Sequence, residues 1–121
     1  MKSSNGLPTS KKEQELFSIF VELYGAENCK SLEVIDGMCF DCLLSINNCL
    51  IDVEYDGWYW HKNRQEEDKR RDYYNIRHGY KVLRVISNGS MPSIQQIQNG
   101  VNCLVNNEHY VYKIILDDID I

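Results

Sequence analysis

Apolar residues first recur at helical spacing in Leu16, Phe17, Phe20, Val21, Leu23 and Tyr24. Ser10 and Glu13 precede them as a capping-box pair and Gly25 follows as a stop, which predicts a helix over residues 11–24. The period then shortens. Residues 32–35, 38–46 and 49–55 are apolar runs separated by Asp36-Gly37 and Asn47-Asn48, pairs that tolerate the positive dihedrals of tight hairpins. They predict a three-stranded antiparallel meander whose last strand runs into Asp56-Gly57. A charged stretch over residues 62–78, closed by Gly79, reads as a second helix, and residues 80–86 (YKVLRVI) as a strand. Ser93 and Gln96 open a third helix with Ile94, Ile97, Val101 and Leu104 on its buried side, and residues 110–116 (YVYKIIL) form a last strand. The order α-β-β-β-α-β-α-β predicts an α/β (α+β) domain, a mixed sheet flanked by helices, over residues 10–121, after a loose tail at 1–9.

A chain of 121 residues fits one domain with a modest core. No apolar run is long enough to span a membrane, and the N-terminus lacks the apolar core of a signal peptide. Five cysteines, an odd number, fit a reducing compartment, so the expected location is the cytoplasm, or the host cytoplasm for a viral protein. Cys39 and Cys42 have metal-knuckle spacing, but along one strand that separation sends them to opposite faces, which favours buried thiols over zinc.

The net charge of −5 argues against a simple electrostatic nucleic-acid binder. Its distribution changes the picture. Residues 62–84 carry eight basic and four acidic side chains and are net +4, leaving −9 for the remainder. Such a segment could hold a phosphate backbone beside an acidic centre, or be a solvated helix face laced with ion pairs.

Asp52, Glu54 and Asp56 alternate along one strand and so share a face. If Asn47-Asn48 is a two-residue turn, Asp41 falls opposite Glu54, about 5 Å away between Cβ atoms, a like-charge pairing that needs a proton or a cation. Hard ions such as Mg²⁺ are held by one or two carboxylates plus water and phosphate oxygens, which would suit phosphodiester hydrolysis. The same carboxylates could equally be a solvent-facing edge that discourages strand pairing. His61 follows at the strand–helix junction, as a general base or acid or as a bystander. Asp68, two helical turns on, could orient it, or simply pair with Arg71. Trp58 and Trp60 flank the acidic residues, for base stacking or for core packing.

The run DVEYDGWYWH from Asp52, the segment from Asp68 to Asp72, and the segment from Gly79 to Arg84 resemble the very-short-patch-repair (Vsr) endonuclease family. The likeness is strongest to its homing-endonuclease and phage relatives, and Ser10–Glu13 and Phe40-Asp41 extend it over residues 10–86. The resemblance implies a restriction-endonuclease-like fold of the PD-(D/E)xK class. It also implies Mg²⁺-dependent nicking or cleavage of double-stranded DNA, with Mn²⁺ as a substitute. Carried over by position, Asp41, Glu54 and Asp56 are the metal ligands and His61 the catalytic histidine. Asp68 and Arg71 are the polar pair on the following helix, and Glu13 the acidic residue of the first helix. Arg64, Lys69, Arg70, Arg71 and Arg84 are then the candidate phosphate contacts. Four departures stand out: Asp56 occupies the usual lysine position, the Asp41–Glu54 gap is longer than the family's, Asn75 replaces an apolar residue, and no cysteine set matches the repair enzymes' zinc site. A core this small makes few base contacts, so specificity would need a homodimer or a partner protein. A non-catalytic binding module on the same fold is the competing reading, and an RNA nuclease fits the same residues.

Overall fold

The computed structural model describes residues 10–31, 33–35, 38–40 and 42–120, with the backbone alone for 33–35, 38–40, 60 and 61. Helix α1 (Lys11–Tyr24) has the expected bounds. Ser10 Oγ accepts from the Glu13 amide at 3.1 Å and Glu13 Oε1 accepts from the Ser10 amide at 3.3 Å, closing the capping box. Gly25 ends the helix at φ 91°, a backbone conformation that L side chains rarely adopt. A 3₁₀ turn (Ala26–Asn28) leads into β1 (Cys29–Lys30).

β4 (Leu43–Ile46) and β5 (Cys49–Gly57) are joined by Asn47 (φ 50°) and Asn48 (φ 62°), the two left-handed residues of a two-residue hairpin turn. Their register runs from Ile46 opposite Cys49 to Leu43 opposite Asp52, and Val53 N donates to Cys42 O one step further. This is the register expected from the asparagine pair. β5 then pairs in parallel with β6 (Tyr80–Ser87), and β6 in parallel with β7 (Val111–Ile115). Parallel neighbours need long crossovers. The first is the short helix α2 (Trp58–His61) with α3 (Gln65–Arg77), and the second is α4 (Ile94–Val105). The five-stranded sheet is ordered β1-β4-β5-β6-β7, and no described helix is long and apolar enough to cross a membrane.

Two expectations are corrected. The three runs do not form one meander: among the described residues β2 (Glu33–Ile35) and β3 (Met38–Phe40) pair only with each other, and β1 holds the place beside β4. Cys29 brings a buried thiol to that edge straight after α1, so a strand of two residues, too short to show a period, takes the position. The charged helix also starts later than expected, since α3 begins only at Gln65, after a turn that follows α2. The expected tail, residues 1–9, lies outside the described residues.

The two faces of the sheet differ. On one, Leu16 and Phe20 of α1 and Ile97, Val101 and Leu104 of α4 pack on Leu44, Ile51, Val53, Leu83, Val85 and Ile114. The free thiols of Cys29 and Cys42 belong to the same core. The other face is covered by α3, whose buried residues are Asp72 and Asn75.

Candidate active site

The alternation of β5 puts Asp52, Glu54 and Asp56 on the α3 face, while Ile51 and Val53 point into the apolar core. Arg84 pairs with Glu54 in the parallel register and rises on the same face. Above them, Asp68, Arg71, Asp72 and Asn75 recur at i, i+3, i+4 and i+7 on α3, one stripe of a helix. Five carboxyl groups and two guanidinium groups are thus enclosed between one helix and two strands.

Each arginine has its own carboxylates. Arg71 Nε donates to Glu54 Oε1 at 3.1 Å and lies 4.0 Å from Asp52 Oδ2. Arg84 is 1% exposed. Its Nη1 donates to Asp56 Oδ2 at 2.6 Å and lies 3.8 Å from Asp68 Oδ1, while its Nη2 donates to Asp72 Oδ1. Burial works against the Arg84 charge, but Asp56 and Asp72 outweigh it and push its pKa up. For Asp72 the balance is reversed: burial outweighs Arg84 and raises the carboxyl pKa above its ordinary range.

Asp52 is 0% exposed. Asn75 Nδ2 donates to its Oδ2 at 2.8 Å, while Oδ1 has no hydrogen-bond donor. Burial first, and the neighbouring Glu54 carboxyl second, raise the Asp52 pKa well above the usual carboxylate range. Burial also raises Glu54, with Arg71 and then Arg84 pulling it back. Glu54 is less enclosed, its side chain 14% exposed, and holds Arg71 more closely, so burial weighs more heavily on Asp52. Two guanidinium groups do not balance five carboxyls, and a proton or a divalent cation relieves the excess.

The expected site residues separate into three groups. Glu54, Asp56, Asp68 and Arg71 are brought together with Arg84. Asp41 and the His61 side chain lie outside the described residues, and with them the expected Asp41–Glu54 and His61–Asp68 contacts; the register behind the first is the one observed as far as Cys42 and Val53. Glu13 is engaged in its own helix cap. Among the candidate phosphate contacts, Arg64, Lys69 and Arg70 are exposed, with Arg64 3.2 Å from Glu67 and Lys69 3.7 Å from Glu66. Arg84 is a correction: sealed among carboxylates, it presents no surface to a phosphate. Trp58 is half-buried.

Asn75 and Asp72 were not picked out from sequence. The signal was the missing apolar stripe of α3: a helix packed on a sheet with few aliphatic residues must bury polar ones, and 68, 71, 72 and 75 are one of its polar stripes that avoid the tyrosines. Among the described residues no group of three or more His, Cys, Asp or Glu side chains is arranged to hold a metal. The two-carboxylate set of Asp52 and Glu54, with the donorless Asp52 Oδ1, fits a hard ion that keeps most of its water. No protein-family model, curated protein or solved structure matches the chain.

Proposed function

We propose that the chain is a metal-dependent endonuclease of the restriction-endonuclease-like fold, hydrolysing phosphodiester bonds of double-stranded DNA. The observation that carries this reading is the carboxyl pair on β5, Asp52 beside Glu54, which shares one arginine and is buried under a helix that exposes Lys69, Arg70 and Arg77 beside Glu66 and Glu67. Glu54, Asp52 and Asp41 would hold the Mg²⁺ or Mn²⁺ ion. When bound, the ion would polarise the phosphoryl group and lower the pKa of a water. Arg71 keeps Glu54 oriented, Asp56 is fixed by Arg84, and His61 is assigned the proton transfer. Lys69 and Arg70, on the exposed side of α3, are assigned to phosphates.

One observation favours a non-catalytic binding module instead. Glu54 and Asp56 are already occupied by Arg71 and Arg84, so the centre is internally paired before any ion arrives. Supercoiled plasmid incubated with Mg²⁺, Mn²⁺ or EDTA separates the two. The enzyme reading expects metal-dependent nicking or linearisation, lost in His61→Ala and Glu54→Gln while both remain folded. Folded protein that binds DNA but leaves the plasmid intact with either metal, on plasmids covering many sequences, would sink it.

A further inference from the structure

The sheet is wider than the helix that covers its polar face. A helix with its side chains is about 10 Å across and strands lie about 4.8 Å apart, so one helix shields about two strands. α3 lies over β6, and α4 covers β7 only from the opposite side, through Tyr112 and Ile114. The alternate residues Val111, Lys113 and Ile115 therefore face outward beside α3. Between them and the helix runs an open groove of about 480 Å³, lined by Lys69, Asp72, Tyr73, Ile76, Val111 and Lys113.

Its chemistry is specific. The floor, Ile76 and Val111, is apolar, and a tyrosine ring 62% exposed stands at one wall. Lys69 and Lys113 project from opposite walls, and the Arg77 guanidinium lies 5.8 Å from the Tyr73 ring centre. The acidic wall residue, Asp72, is buried and committed to Arg84. An apolar slot with an exposed ring and flanking cations, on a chain of net charge −5, matches a flat base with phosphates on either side. In duplex DNA both faces of a base are already stacked, so the occupant must be unpaired.

We propose that the α3–β7 groove binds an unpaired nucleotide of a nucleic-acid strand, with the base against Tyr73 and the flanking phosphates on Lys69 and Lys113. In the proposed nuclease this strand is an unpaired stretch beside the duplex it cuts, and to that extent the inference rests on that reading. It also joins groove to centre, because Asp72 lines the one and, through Arg84, fixes Asp56 in the other.

Binding of a fluorescent oligo-thymidylate of about twelve nucleotides, followed by anisotropy in EDTA, tests the groove where no metal-dependent cleavage occurs. The wild type is expected to bind this single strand more tightly than a duplex of equal length. Tyr73→Ala and Lys113→Glu should each weaken the single strand by about tenfold or more. Lys30→Glu, the same charge change on the exposed far edge of the sheet, should change it less than about twofold. Both groove residues are exposed, so folding checked by circular dichroism should survive. Equal losses in Lys113→Glu and Lys30→Glu, no binding by folded wild type, or displacement of the probe by polyglutamate as readily as by unlabelled strand would each overturn the groove. Groove binding with no plasmid cleavage would leave it standing and remove the nuclease.

Discussion

The two faces of the central sheet are built on opposite principles. Under α1 and α4 the contacts are aliphatic and aromatic, need no particular partner, and gain stability in proportion to the area removed from water. Under α3 a few aliphatic residues such as Val82 and Ile86 surround charged and amide groups that each have a named partner, as Arg84 has Asp56 and Asn75 has Asp52. Replacing such networks by hydrophobic residues is often neutral or stabilising, whereas removing one member is costly. A fold that needed only stability would have covered both faces alike.

Removing Arg84 should separate the faces most sharply. Arg84→Met leaves Asp56 and Asp72 enclosed without a counter-charge and is expected to cost about 3–5 kcal/mol in urea unfolding at pH 7.5. Leu83→Ala, the next residue but on the apolar side, should cost about 2–5 kcal/mol. The pH dependence tells them apart. Without the arginine, the folded-state pKa values of both aspartates rise above their unfolded values, so the variant's deficit shrinks as pH falls towards 4. The Leu83→Ala deficit should stay constant. An Arg84→Met deficit unchanged between pH 7.5 and pH 5 would show that the carboxylates are not what the arginine holds.

A smaller effect comes from the apolar face, where α4 lies unusually close to the sheet. A Cβ added at Gly100 would stand 2.8 Å from both Leu83 Cδ1 and Tyr112 Cδ1. Alanine in a helix interior normally gains about 1 kcal/mol over glycine, while overpacking a filled core costs about 1–3 kcal/mol. Gly100→Ala is therefore expected to lower stability by about 1 kcal/mol, a fall of a few degrees in Tm by calorimetry. A rise in Tm would mean that the contact relaxes freely.

The apolar face was also the legible one. α1 and α4 announce themselves through capping boxes and aliphatic stripes, and Asn47-Asn48 sets the β4–β5 register because both residues accept positive φ. β1 was invisible because two residues carry no period, and the β2–β3 hairpin was given to the main sheet because local pattern does not say which edge a strand joins. On the polar face, alternation put Asp52, Glu54 and Asp56 together, yet which arginine each carboxylate meets depends on the placement of α3 over β6. That is why Arg84, basic in sequence, read as a phosphate contact and is an internal counterion. It is also why Asn75 read as a departure from the family pattern when its amide serves Asp52.

The subtlest difference between the faces is a proton. Asp52 holds one in the folded protein well above the pH at which an unfolded aspartate, with a pKa of about 3.9, has lost it. A raised folded pKa contributes stability that is full below the unfolded value and disappears as pH climbs through the folded one. Glu54 and Asp72 shift the same way, whereas hydrogen bonds from Ser90, Ser87 and the Asn88 amide take Asp117 down to about 2. Asp117 matters only in acid, so above pH 4 the polar face makes the protein less stable as pH rises. Asp52→Asn removes the titrating group but keeps an acceptor for Asn75, and offers an amide donor beside the unpartnered Asn75 Oδ1. It should match the wild type near pH 5 and exceed it by about 1 kcal/mol at pH 8, read as a higher urea midpoint with unchanged slope. A variant weaker than the wild type at pH 8 would mean that Asp52 is ionised and held by Arg71. The carboxyl pair would then set two negative charges against one arginine, an excess that a cation and not a proton relieves.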